Sequence, residues 1–150
     1  MTVQQRLAFT VAIMAEVKLK LDRNPKMTQA PWFEFHHGDC RGADEEAHNI
    51  VRAIYGPYVQ IHIHPPEIQT KRAHLTADVR YTPKDYLERN KEIVLCSQLM
   101  FAAPMQNQNV QRSGTWSTVR FCHKGQHAAC AIILNNGTIT WADNLFHGKA

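Results

Sequence analysis

Gln111-Arg112-Ser113-Gly114-Thr115-Trp116-Ser117-Thr118, read with Leu99-Met100-Phe101-Ala102-Ala103-Pro104 before it, is the stretch on which the fold turns. Leu99 to Pro104 is a short continuous apolar run ended by proline, the pattern of a parallel strand covered on both faces. A polar loop follows from Met105 to Arg112. Ser113 then stands at an N-cap position, ahead of a helical stretch that puts Thr115, Val119 and Cys122 on one face. Such a unit aims the first N–H groups of the helix, at the positive end of its dipole, above the sheet, where an anion such as phosphate is favoured. Gly114 permits close backbone approach, and Ser113 and Thr115 add hydroxyls. An ordinary capped helix after a loop is the competing reading of the same residues.

Upstream, the pattern repeats. Trp32-Phe33-Glu34-Phe35-His36 reads as a strand and runs into His37-Gly38-Asp39-Cys40-Arg41-Gly42-Ala43-Asp44. Ala43, Ala47, Ile50, Val51 and Ile54 then mark a helix that ends near Gly56-Pro57. Gly38 and Gly42 permit a tight turn and close backbone approach. Asp39 and Asp44 would repel a phosphate at short range, so they hold a ribose hydroxyl or stiffen the loop. The dinucleotide fingerprint G-x-G-x-x-G is absent. Val59 to His64 is a third strand, closed by Pro65-Pro66. The segment from Glu67 to Thr82 has no clear periodicity and reads either as a binding loop or as a solvated connector. Pro83 suits the start of the next helix, whose apolar face is Tyr86, Leu87, Ile93 and Val94. Arg89 and Asn90 fall on the same side. A buried arginine needs a partner, which is either a structural carboxylate or a bound anion.

Before these units, Thr2 caps a helix running to about Leu21, with Leu7, Val11, Met14, Val17 and Leu21 as its apolar stripe. After them, Ala128 to Leu134 is a strand, Asn136-Gly137 a turn, and Thr138 to Trp141 a returning hairpin strand. The tail from Asp143 shows no pattern. Alternating strands and helices predict an α/β fold, a Rossmann-like three-layer sandwich with a mostly parallel sheet, in a single domain over residues 1–150. Ligands of such sheets bind beyond the carboxyl ends of the strands.

Composition agrees with one globular domain: 150 residues, 44% hydrophobic and 20% charged, with a net charge of +4. The basic residues are scattered, which suits a small anionic ligand and is weak support for nucleic acid. No apolar run reaches membrane-span length, and the first segment is broken by Glu16, Lys18 and Lys20 without a cleavage pattern, so a cytoplasmic protein is expected. Cys40, Cys96, Cys122 and Cys130 form no C-x-x-C pair. His62 and His64 share a strand face, and Cys122, His123, His127 and Cys130 cluster, but no spacing matches a metal-site pattern, and no metal or cofactor is expected.

His37-Gly38-Asp39 with Gly42-Ala43-Asp44, Glu88-Arg89-Asn90 with Ile93-Val94, then Ala103-Pro104 and Ser113-Gly114-Thr115-Trp116-Ser117-Thr118 together resemble the SLOG superfamily. These are Rossmann-like domains that bind nucleotides or nucleotide-derived ligands, related to the lonely guy phosphoribohydrolases and to DNA-processing protein A. The resemblance covers about residues 32–134. It implies a ligand site at Gly38, Asp39, Gly42, Asp44, Arg89, Asn90, Ser113, Gly114, Thr115 and Thr118. It also implies a homo-oligomer packed through helices, with the stripe of the first helix and the face bearing Val94 as contacts. Two departures stand out. Thr118 occupies the place of the glutamate in the phosphoribohydrolase Gly-Thr-x-x-Glu motif, and a threonine supplies neither the charge nor the base that N-glycosidic cleavage needs. Binding of a nucleotide-like signal is therefore expected ahead of catalysis, with a phosphoribohydrolase-like enzyme and a ligand-free DNA- or protein-interaction module as the alternatives. Second, Met1-Thr2 already sits at the first helix's N-cap, so the strand with which family members open is missing. Either the start is assigned too late or the sheet is rearranged. In the second case the strand at Trp32 pairs directly with that at Leu99, or the tail or a second subunit fills the gap, because unpaired buried backbone groups are costly.

Overall fold

Thr2 and Gln5 start the chain's first helix with a reciprocal pair of bonds: the Thr2 hydroxyl accepts from the Gln5 N–H at 3.0 Å, and the Gln5 side chain accepts from the Thr2 N–H at 2.9 Å. This capping box satisfies two of the N–H groups that a helix start leaves open. The structure is a computed structural model and describes residues 1–147. Its elements in order are α1 (Val3–Arg23), β1 (Phe33–His37), α2 (Ala43–Tyr55), β2 (Val59–Ile63), β3 (Val79–Arg80), α3 (Tyr86–Leu95), β4 (Leu99–Ala102), α4 (Gly114–Gly125), β5 (Ala129–Ile133), β6 (Ile139–Trp141) and α5 (Ala142–His147).

The fold is mixed α/β. Strands β1, β2 and β3 form one parallel sheet, with Phe33 opposite Val59 and His37 opposite Ile63. A second sheet holds β4 and β5 in parallel and β6 antiparallel at its edge, returning through the expected Asn136-Gly137 turn. Phe9, Ile13 and Val17 of α1 and Val51 and Tyr55 of α2 pack on Val59, Ile61, Ile63 and Ile133. Val94 of α3 and Trp116, Val119 and Cys122 of α4 pack on Met100, Ala102, Cys130 and Ile132. No helix among the described residues is long and apolar enough to cross a membrane.

Of the three expected ways of closing the sheet, neither direct pairing of the two strands nor filling by the tail is present among the described residues. β1 is paired on one side only, by β2, and β4 on one side only, by β5. Between their free edges lies a cleft of about 1780 Å³. Phe33 through Gly38 line it without a break, and so do Leu99 through Met105. Side chains of a strand alternate between faces, so an unbroken run along a cavity wall is the mark of a backbone edge. Helix α1 roofs the cleft: the Phe9 ring meets Phe35 of β1 at 6.2 Å and Phe101 of β4 at 5.4 Å between centroids. Gln5 ties the same helix to the second sheet, donating to Ile133 O at 2.9 Å and Pro104 O at 3.1 Å.

Four sequence expectations need correcting. The buried stripe of α1 is Gln5, Phe9, Ile13 and Val17, while Leu7, Val11 and Met14 are exposed. The helix carries an apolar stripe on each side, and periodicity cannot say which one the sheets cover. Val94 is fully buried, so it offers no surface for a partner. Tyr86 and Leu87, expected to be buried, are exposed at the start of α3, where Tyr86 lines the cleft. The tail does not lack structure: through His147 it forms α5, with Ala142 buried against the second core, and only its last residues lie outside those described.

Candidate functional site

The carboxyl ends of β1 and β2 are joined by one side chain. Arg89, on α3, is 2% exposed. Its Nη1 donates to Gly38 O beyond β1 and to His64 O beyond β2, its Nε donates to Asn90 Oδ1 at 2.8 Å, and its Nη2 meets Cys40 Sγ at 3.5 Å. The Tyr86 ring lies 4.8 Å below the guanidinium carbon. All these partners are neutral. No carboxylate among the described residues lies within ion-pair distance of Arg89, although a buried guanidinium requires compensation.

The first glycine loop is braced by its own acids. Asp44 Oδ2 accepts from the Gly38 and Cys40 N–H groups, both at 3.1 Å. Asp39 is fully buried, with φ at +59°; it pairs with Arg72 Nε at 2.9 Å and accepts the Leu75 N–H at 2.9 Å. Of the two roles read for these acids, stiffening is the one their bonds describe. Asp39 also ties down the segment after β2, at Arg72 and Leu75, and Thr70 and Lys71 of that segment line the cleft. Gly42 turns the chain into α2 at φ +96°, and Asp44, Glu45 and Glu46 occupy that helix's positive end.

The second loop differs. Ser113 caps α4, its hydroxyl accepting from the Trp116 N–H at 3.3 Å, and the first turn of α4 contains no acid. Apart from the Ser113 hydroxyl, no side chain of that first turn offsets its positive end. Gly114 packs so tightly on Tyr86 that an added Cβ would stand 2.6 Å from the ring. Thr118 donates back to Gly114 O at 2.9 Å. Thr115, Thr118, Asn90, Arg89, Gly38, Gly42 and Asp44 all line the one cleft, whereas Ser113 and Gly114 stand behind it. Through Tyr86 and Arg89 the structure brings both loops to the same end of the cleft.

Sequence reasoning missed the polar face of the first sheet. Even-numbered positions of β1 and β2 turn Glu34, His36, Gln60 and His62 to the side opposite α1, and His64 continues the column. His36 stacks on His62 at 4.3 Å and Tyr81 on His64 at 3.9 Å. His64 is held down at about 3 chiefly by burial, with His36 and His62 adding repulsion. On the apolar side, burial holds His37 down at about 4. Its Nδ1 accepts the Asp39 N–H, so its Nε2 carries the proton toward His48 Nδ1, 2.9 Å away. Burial raises both the Cys40 thiol and the Tyr86 phenol, so neither is charged at neutral pH. The alternation in Val59-Gln60-Ile61-His62-Ile63-His64, matched by Phe33-Glu34-Phe35-His36, is the sequence signal that a face of this parallel sheet is polar.

The chain matches no known protein-family model, no curated protein and no solved structure.

Proposed function

We propose that this chain binds a nucleotide or nucleotide-derived ligand through its phosphate, at the carboxyl ends of the strands, in a Rossmann-like sandwich of the SLOG type. One observation carries the reading. A buried guanidinium with no carboxylate partner among the described residues lines the same cleft as Thr115, in the first turn of a helix whose first turn contains no acid. Both features call for an anion, and the cleft is their shared opening. Thr118 in place of a glutamate supports binding over phosphoribohydrolase chemistry, and the threonine hydroxyl is engaged by its own helix. The cleft between β1 and β4 corresponds to the strand that the resemblance expects in the middle of the sheet.

Titration calorimetry with a panel of nucleoside monophosphates tests the site. Arg89→Ala is expected to weaken binding by about 1.5–3 kcal/mol, the worth of a charge-assisted hydrogen bond. Unchanged affinity with an intact circular dichroism spectrum would falsify Arg89 as a ligand. The same incubations, followed for free base, separate the readings: steady release that is lost in Arg89→Ala makes the chain an enzyme.

The exposed stripe Val3, Leu7, Val11 and Met14 on α1 supports the further proposal of a homo-oligomer packed through that helix. Light scattering at micromolar concentration is expected to give at least twice the chain mass of 17.2 kDa. A clean monomer, or an oligomer unchanged by Leu7→Glu with Val11→Glu, removes this interface.

A further inference from the structure

The polar face of the first sheet contains a chain of close contacts that runs from carboxylate to imidazole to imidazole to carboxylate. Glu34 Oε1 lies 2.9 Å from His36 Nε2, His36 Nδ1 lies 2.8 Å from His64 Nε2, and His64 Nδ1 lies 2.6 Å from Glu92 Oε1. Carboxylates only accept, so His36 must place its proton on Nε2 and His64 must place its own on Nδ1. Each neutral imidazole has one proton. With both rings neutral, His36 Nδ1 and His64 Nε2 face each other as two lone pairs, a contact that either a proton or a metal cation between them satisfies. Cys96, the cap at the end of α3, brings its Sγ to the same point: one ligand atom from each of His36, His64 and Cys96 falls within 4.8 Å of the others.

From this geometry we infer a transition-metal site, with His36 Nδ1, His64 Nε2 and Cys96 Sγ as ligands for a zinc-like divalent cation. A cation between the two lone pairs removes the conflict at the centre of the chain. Two imidazoles and a thiolate are the donor set that borderline-soft ions prefer. Around zinc at its usual bond lengths, such ligands stand about 3.3–3.6 Å apart, so the imidazoles part by about half an ångström and the thiol swings inward. On binding, the Cys96 thiol gives its proton to solvent and the sulfur donates an electron pair to the metal. Glu34 and Glu92 are then the outer partners that fix each ring's tautomer and orientation. Glu92 is itself held by Lys84. Tyr81, stacked on His64, walls the site on one side. Cys96 is exposed and both Cys96 and His36 line the cleft, which gives the ion a path in and leaves a fourth position for water. The spacing of these three residues along the chain matches no motif, because the ligands come from two strands and a helix end.

Cobalt(II) is the probe, added to the full chain after chelator treatment. The expected result is one ion bound per chain, with the near-ultraviolet sulfur-to-cobalt band and the strong visible bands of a tetrahedral site, all displaced by zinc. Cys96→Ser, at an exposed position, is expected to fold normally, lose the sulfur band and bind at least tenfold more weakly. Glu92→Gln is expected to keep the sulfur band and lose about 10–100-fold in affinity, the usual effect of removing such an outer partner. Cobalt bound without a sulfur band would put the ion on Glu34, His36 and His62, which also converge, and would overturn the assignment. A sulfur band that survives in Cys96→Ser, or no binding at all, overturns it as well.

Discussion

Alanine at position 38 is expected to unseat Arg89 and to cost on the order of 3 kcal/mol of stability, the upper end of the range for overpacking. An added Cβ would stand 2.5 Å from the guanidinium carbon, closer still to Nη1, and 3.1 Å from Nε. A long side chain often moves aside cheaply. Arg89 does not have that freedom, because it is buried and its Nη1 already spans the carbonyls of Gly38 and His64. Displacing it removes hydrogen bonds from a charged donor, each worth about 1.5–3 kcal/mol. Urea unfolding of four chains checks this: wild type, Gly38→Ala, Arg89→Ala and the double variant. If the clash is with Arg89, Gly38→Ala costs at least about 1 kcal/mol less in the Arg89→Ala background. Additive effects would show that Gly38 is required for some other reason. Ligand affinity is expected to fall in Gly38→Ala by as much as in Arg89→Ala, since both variants remove the guanidinium from the cleft.

Trp116→Ala is the other large effect, expected at about 3–5 kcal/mol. Trp116 is fully buried in the second core and its Nε1 donates to Gln106 O at 3.0 Å. Its truncation leaves a cavity among Val94, Met100, Val119 and Ile132 and also releases the loop that leads into α4. Trp116→Phe keeps most of the ring and separates the two contributions. It is expected to lose the hydrogen bond, about 1 kcal/mol, and part of the packing. A midpoint in urea for Trp116→Ala within about 0.5 kcal/mol of wild type would mean that α4 is not anchored by this residue.

Much of this protein was legible without its structure, wherever the cause is local. Thr2 and Ser113 announce helix starts because capping is decided within three residues. Continuous or alternating apolar runs placed β1, β2, β4 and β5, and Asn136-Gly137 placed the turn into β6. The position of Arg89 among apolar residues of α3 predicted its burial and its need for a partner. The spacing could not decide what that partner is, because the absence of a carboxylate among the described residues near it is a fact about the neighbours that the fold brings in.

Only the tertiary structure decided the rest. Helix α1 has two apolar stripes, and which one faces the sheets depends on the strands it roofs. Asp39 and Asp44 carry the charge of possible ligand groups, but the fold spends them on Arg72 and on backbone N–H groups of their own loop. The cleft between β1 and β4 is a non-local feature: each edge reads as an ordinary strand, and only the family resemblance, not the residues of either strand, set the two on either side of a gap. The histidine column has the same origin. His36, His64 and Cys96 are distant in sequence and are gathered only when β1 lies beside β2 and α3 ends against them, so their chemistry is a property of the packing.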